Sequence, residues 1–252
     1  MINGEIMKTL LLLTFGFIIM LNCYAKEQIV LIADPKVLNI AIHENHEPLV
    51  DLVTQKEISY GPPPVLPQNT NYTQVRKTIY EKLKQAQAKL PDGLQFRLYE
   101  GYRSLELQQK LFQERYDRLQ KENPQLTHQQ LFIESTKFVS PVINLDGSKN
   151  IPPHSTGAAI DVYLIDKNGN VVDMGITLDD TYRDLSGIYC KTDSLAISEK
   201  AKTYRKIMGK ALEAVGFVNY PTEYWHWSYG DRYWAYQTHH KFALYDTVQK
   251  AQ

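Results

Sequence analysis

Apolar residues recur along this chain with two alternating periods. Val75, Ile79, Leu83, Ala86 and Leu90 recur at spacings of three and four between polar residues, which is one face of a helix, and Pro91-Asp92-Gly93 stops it. Leu94, Phe96 and Leu98 then alternate with Gln95, Arg97 and Tyr99, the period of a half-buried strand. That strand runs into Glu100-Gly101-Tyr102-Arg103. Ser104 is placed to cap a second helix whose apolar positions Leu105, Leu111, Phe112, Tyr116 and Leu119 share one side, and Asn123-Pro124 ends it. A shorter helix is predicted over 127–138, followed by a loop from Ser140-Pro141 to Pro152-Pro153. Ala158, Ile160, Val162 and Leu164 alternate with Ala159, Asp161 and Tyr163, and Asn168-Gly169 signals a tight turn before Val171 and Val172, so two antiparallel strands are expected. Asp166-Lys167-Asn168-Gly169-Asn170 is read as that turn, since it lacks the bidentate glutamate of a calcium loop. A last amphipathic helix starts near Ser198, turns Ala201, Tyr204, Met208, Ala211, Leu212 and Val215 inward, and stops at Gly216.

Neither end of the chain follows these periods. Residues 26–70 lack strong periodicity, and Gly61-Pro62-Pro63-Pro64 with Pro67 forbids regular structure there; this segment is expected to be an irregular wrapping arm. At the other end, 11 aromatic residues, all three tryptophans among them, crowd into 217–245. No repeat and no compositional break divides the chain. The expected fold is one α+β domain, 26–252, in which a small antiparallel sheet is flanked by several helices.

The first 25 residues read as an address. Lys8 precedes an apolar run from Leu10 to Leu21, and Cys23-Tyr24-Ala25 offers a small residue before a cut ahead of Lys26. The run is shorter than the ~20 residues a bilayer-spanning helix needs, so a cleaved signal peptide is expected, with an uncleaved anchor or a lipid on Cys23 as the alternatives; translation from Met7 would give a more compact signal. The mature protein would then have no stable membrane span and would be exported across the inner membrane, to the periplasm.

Composition narrows the partner. The 252 residues carry 28 basic and 28 acidic side chains and two cysteines, which excludes a disulfide scaffold and gives no basic footprint for nucleic acid. Removal of 1–25 takes one charge of each sign, leaving 27 against 27. It also leaves Cys190 as a lone thiol, expected to be small, buried and unreactive because no Cys-His pair surrounds it. His43, His46, His128, His239 and His240 match no pattern and are read as surface or packing residues.

Two segments carry chemistry: Pro152-Pro153-His154-Ser155-Thr156-Gly157-Ala158-Ala159-Ile160-Asp161 and Glu223-Tyr224-Trp225-His226. Two imidazoles and one carboxylate, here His154, Asp161 and His226, form a compact zinc site that leaves a fourth position for water. Gly157 would let the chain bend so that His154 and Asp161 face one point. Glu223 lies three residues before His226, an interval that puts them on opposite faces of a regular strand, so a turn or bulge must re-aim one of them. Glu223 would then be the base that takes a proton from the attacking water, in a pocket kept dry by Trp225 and Trp227.

His-x-x-Gly-x-Ala-x-Asp at 154–161, Glu-x-Trp-His at 223–226 and Glu-Gly-Tyr-Arg at 100–103 resemble the zinc D,D-peptidases, and among them the D-alanyl-D-alanine dipeptidases of the vancomycin-resistance type, over about 75–236 in the same order. The resemblance implies one Zn2+ per chain on His154, Asp161 and His226, Glu223 as general acid/base, and Arg103 as stabiliser of the developing oxyanion. Asp173-Met174-Gly175 followed by Asp179 resembles the region whose last acidic residue pairs with the free ammonium of the dipeptide; Leu178 replaces the usual aromatic, and Asp180 competes for the role. Many relatives have serine two residues before the first histidine, serving the substrate carboxylate, where this chain has Pro152. Carboxylate recognition would then fall to Ser155, Thr156 or a backbone amide. The implied activity is hydrolysis of D-Ala-D-Ala or a related free dipeptide. The alternatives are a D,D-carboxypeptidase or endopeptidase trimming peptidoglycan stem peptides, and a non-catalytic peptide-binding module that keeps zinc for structure.

Overall fold

The computed structural model describes residues 29–64 and 69–248; the expected signal segment and Cys23 lie outside the described residues. After a short helix α1 (Pro35–Leu38) come three short strands, β1 (Ala41–Ile42), β2 (Leu49–Asp51) and β3 (Ser59–Tyr60). The arm is thus threaded into the fold. The 75–90 periodicity divides: Val75 belongs to a strand, β4 (Gln74–Arg76), paired antiparallel with β2, and the helix α2 occupies Lys77–Gln87. Strand β5 (Leu94–Glu100) leads to α3 (Leu105–Glu122), whose first turn is capped by the Ser104 hydroxyl accepting from the Leu107 amide. Helix α4 (His128–Thr136) begins with a capping box between Thr127 and Gln130, satisfying two helix-end amide donors at once.

The long strand β6 (Ala159–Asp166) follows, then α5 (Glu199–Glu213) with Ser198 as its cap, β7 (Val218–Asn219), β8 (His226–Ser228), α6 (Arg232–Gln237) and β9 (Phe242–Ala243). The expected hairpin after β6 forms its turn at Gly169 but no second strand, only a single bridge from Ile165 to Val171. Asp173 and the Leu178–Arg183 3₁₀ turn carry the chain away from the sheet instead. No helix among the described residues is long and apolar enough to cross a membrane.

The main sheet runs β3-β5-β6-β8-β7, with a parallel edge pair β3–β5 and antiparallel pairs elsewhere. Phe96 and Leu98 pair with Leu164 and Val162, so these four share one face. There they join Ile79 and Leu83 of α2 and Met208 and Leu212 of α5 in the main core. The opposite face carries the chemistry. All of β6 from Ala159 to Ile165 is buried, so this second face is covered as well, and polar groups on it must be paired.

Candidate active site and metal centre

A register shift in β5 sets the site. Between Leu98 and Glu100 the ladder with β6 is interrupted, so Glu100, not Tyr99, stands opposite Asp161. Without that shift Glu100 would point into the apolar core; the bulge turns it to the other face, the usual use of such a defect beside a functional site. On the next strand His226 stands opposite Asp161. Glu100, Asp161 and His226 therefore form a row across three strands.

His154 enters this row from a 3₁₀ turn, Pro153–Thr156, ended by Gly157 at φ +71°. A side chain on Gly157 would be strained at that φ, and its Cβ would stand 2.6 Å from Leu49 Cδ2. The Nδ1 of His154 lies 2.8 Å from the Gly101 carbonyl, which can only accept, so Nδ1 carries the proton and Nε2 presents a lone pair. Gly101 itself admits no side chain, since a Cβ would stand 2.4 Å from the Gln74 carbonyl oxygen. For His226 the roles are reversed: Nε2 faces the Ser228 hydroxyl at 3.4 Å, and Nδ1 points inward.

Three donor atoms thus converge. His154 Nε2 lies 3.1 Å from His226 Nδ1, His226 Nδ1 lies 3.1 Å from Asp161 Oδ1, and the third edge is 3.4 Å. Ligands about 2.0–2.1 Å from a tetrahedral zinc stand about 3.3 Å apart, so the triangle has the size zinc requires. Inward lone pairs on buried nitrogens and a carboxylate repel one another unless a cation lies between them, and no other cluster of three or more metal-ligating side chains is found among the described residues.

Glu223 lies on a tight turn in which its amide donates to the Tyr220 carbonyl and its carbonyl accepts from the His226 amide. The Trp227 indole holds the turn by donating to the Tyr224 carbonyl at 3.1 Å. This is the re-aiming that the three-residue interval demanded, and it brings Glu223 Oε2 to 3.9 Å from His226 Nδ1. Burial, then the charge of Asp161, pushes the Glu223 carboxyl well above the usual carboxylate range, against the opposing pull of Arg103 and Arg115. Burial also disfavours charge on Asp161, but positive charge on His154 and His226 when they are protonated, and their hydrogen bonds to it, outweigh that and hold its carboxyl below the ordinary value. Two neighbouring carboxyls are driven apart in this way, the arrangement that separates a proton carrier from a permanent anion.

Arg103 is buried and fixed. Its guanidinium pairs with Glu100, donates from Nη1 to Gln108 Oε1 at 2.9 Å, and its amide donates to the His154 carbonyl. Burial opposes its charge, but Glu100 dominates and keeps it firmly protonated. Gln108 in turn donates to the Ser140 carbonyl at 2.7 Å, and Asn69 donates to the far oxygen of Glu100. Sequence reading missed Gln108 and Asn69. For Gln108 a signal existed: it lies on the buried stripe of α3 with Phe112, Arg115 and Leu119, and a polar residue on a core-facing stripe asks for a reason.

A cavity of about 440 Å³ opens on Arg103, Asp161 and Glu223 and runs along α3. A second, of about 770 Å³, shares Tyr99 and Leu178 with it and is lined by Asp173, Asp179 and Asp180. Asp179 is exposed, accepts a hydrogen bond from the Tyr99 hydroxyl at 3.1 Å, and lines this second cavity, not the first. Asp180 instead accepts from the Thr177 hydroxyl and pairs with Arg183. Ser155 lines neither of these cavities: it is buried, its hydroxyl has no partner among the described residues, and its carbonyl accepts from the Val248 amide. Pro152 borders a small cavity of about 40 Å³ behind His154 and His226. Cys190 is fully buried, and burial pushes its thiol up.

Residues 65–245 match the D-ala-D-ala dipeptidase family. A D-alanyl-D-alanine dipeptidase of Synechocystis sp. is 28% identical over 246 residues, covering 84% of this chain and 96% of its own. Among solved structures, the LdcB LD-carboxypeptidase aligns at 16% identity and a TM-score of 0.41, over 79% of this chain and 75% of its own. VanYB in complex with D-Alanine-D-Alanine aligns at 16% identity and a TM-score of 0.39, over 75% of this chain and 88% of its own.

Proposed function

The chain belongs to the D-ala-D-ala dipeptidase family, and from that membership we propose that it is an exported zinc dipeptidase that hydrolyses D-Ala-D-Ala or a related free dipeptide. The observation that carries this reading is the triangle of His154, Asp161 and His226 donor atoms, 3.1–3.4 Å on a side, with Glu223 and Arg103 on the same cavity. A zinc ion held by these three side chains supplies Lewis acidity at the scissile carbonyl. Glu223, raised by burial and so a competent proton carrier, takes one proton from water as the C–O bond forms and returns it to the amine nitrogen as the C–N bond breaks, which restores the carboxylate. Arg103 faces the oxyanion with a guanidinium that Glu100 and Gln108 already hold in place, so little reorganisation is needed as charge develops.

Restriction to free dipeptides falls to Asp179, which the substrate ammonium would meet at the junction of the two cavities beside Tyr99. An acylated nitrogen brings no charge and leaves that carboxylate without a partner. Residues 1–25 address the product to the periplasm, where a short peptide released from cell-wall stems is at hand. Turnover of free D-Ala-D-Ala should exceed that of its N-acetyl form by at least tenfold; equal turnover would transfer the enzyme to the carboxypeptidase class. That second reading is favoured by one observation, the placement of Asp179 on the neighbouring cavity.

A further inference from the structure

Four arginines are buried among the described residues, Arg76, Arg103, Arg115 and Arg205. Three of them are well supplied with acceptors. Arg76 donates to the carbonyls of Glu47, Thr156 and Asp246 and pairs with Glu44. Arg103 meets Glu100 and Gln108 through both terminal nitrogens, although its Nε is buried without a partner. Arg205 donates to the carbonyls of Met174, Lys191 and Tyr189 at 2.5–2.8 Å. Arg115 differs. At 7% exposure it makes one long hydrogen bond, Nη2 to the Leu185 carbonyl at 3.4 Å, and its Nε is buried with no partner. Its guanidinium otherwise lies over the Phe138 ring, 4.1 Å from the centroid.

Arg118, one turn further along α3, repeats the pattern. Its Nε is also buried without a partner, and its guanidinium stands 5.7 Å from the Tyr182 ring centroid. Neither guanidinium has a salt bridge within the described residues, and Glu114, on the same wall, is engaged by Lys110 instead. Both line the 440 Å³ cavity that holds Glu223 and Arg103. A buried cation whose hydrogen-bond donors are unfilled is costly even with Glu223 and Glu134 near enough to attract it, and a purely structural arginine is normally saturated, as Arg205 is.

We propose that Arg115 and Arg118 form an anion subsite that takes a carboxylate of the peptide substrate. The inference rests on the peptidase reading, and it gives the carboxylate a destination that Pro152, which has no donor, and Ser155, which is 1% exposed and absent from the walls of the three cavities above, do not provide. Two planar forks on one helix face suit a carboxylate bidentately, while Phe138, Leu178 and Trp225 supply apolar wall to the same cavity. The carboxylate is either the C-terminal one or that of an acidic side chain on the N-terminal side of the scissile bond.

The test is binding, measured by titration calorimetry on zinc-loaded Glu223→Gln protein, so that turnover plays no part. The ligands are D-Ala-D-Ala against its C-terminal amide, and N-acetyl-D-Glu-D-Ala-D-Ala against its D-Gln counterpart. At least one acid should bind roughly tenfold or more tightly than its neutral partner, the scale of one charge-assisted hydrogen bond. In Arg115→Met and Arg118→Met that preference should fall to within about twofold of unity, and the pair of ligands in which it falls identifies the carboxylate. Arg118 is only half-buried, so its variant decides the matter if Arg115→Met fails to fold. No preference in the parent protein, or a preference untouched in a folded variant, overturns the subsite. If wild-type protein cleaves no free dipeptide, the dipeptidase reading fails, yet these ratios still report on the arginines.

Discussion

A carboxyl that must first accept and then return a proton needs surroundings that make neither form secure, and Glu223 has them. Replacing it with Ala should lower kcat by about 10²–10⁴-fold while zinc content, read by atomic absorption, stays near one per chain; loss of zinc would make Glu223 a ligand and end its assignment as base. His226→Ala should lose both metal and turnover, because it removes one corner of the donor triangle. For Arg103→Lys we expect kcat to fall by about 10²-fold or more, since an ammonium cannot hold Glu100 and Gln108 together while facing the substrate; near-normal kcat would show that charge alone suffices. The metal-ligating types and Glu223 were legible in the sequence because zinc and proton transfer demand particular side chains. Gln108 and Arg115 were hidden because they occupy core-facing positions of α3, where the periodic reading counted only the apolar residues, and Leu105, counted among those, is 38% exposed.

Helix starts were read well from local chemistry: Ser104 caps α3 as expected, while Thr127 and Ser198, read as the first residues of their helices, prove to be the caps one position before them. Pairing between distant strands was not, since nothing near Val75 in the sequence announces that β2 will claim it before α2 begins. The β5 bulge was equally silent, although it is what aims Glu100 at the site. Alternation predicted a second strand after Asn168-Gly169, and the chain instead leaves the sheet after one bridge to form the Leu178–Arg183 turn that borders both cavities. Gly157→Ala tests the element that sets His154. It should cost about 1–3 kcal/mol in denaturant unfolding, the scale of a non-glycine residue in left-handed backbone, and weaken zinc retention during dialysis against a chelator. Unchanged stability would mean the turn has another conformation open to it.

For the molecule as a whole, even charge and a lone buried thiol combine into a simple measurement. Cys190 should ignore a thiol reagent in the native protein and react once the chain is denatured. A denatured chain that keeps its first 25 residues should give two thiols and an exported, processed chain one, because the other cysteine is Cys23. Two thiols on protein recovered from the periplasm would overturn the cleavage expectation.

The two ends of the described fold are clasped together. Strand β9 pairs in parallel with β1, Asp246 accepts from Arg76, and the Val248 amide donates to the carbonyl of Ser155, the residue after His154. A polypeptide emerging from a ribosome or a translocon, N-terminus first, therefore has every zinc ligand out before the segment that locks the His154 turn has been delivered. Firm retention of the metal, as distinct from its first uptake, is therefore expected to follow the docking of that last segment. A chain truncated after His240 should take up zinc but release it to a chelator faster than the full chain, and equal release rates would show that the clasp has no part in holding the metal.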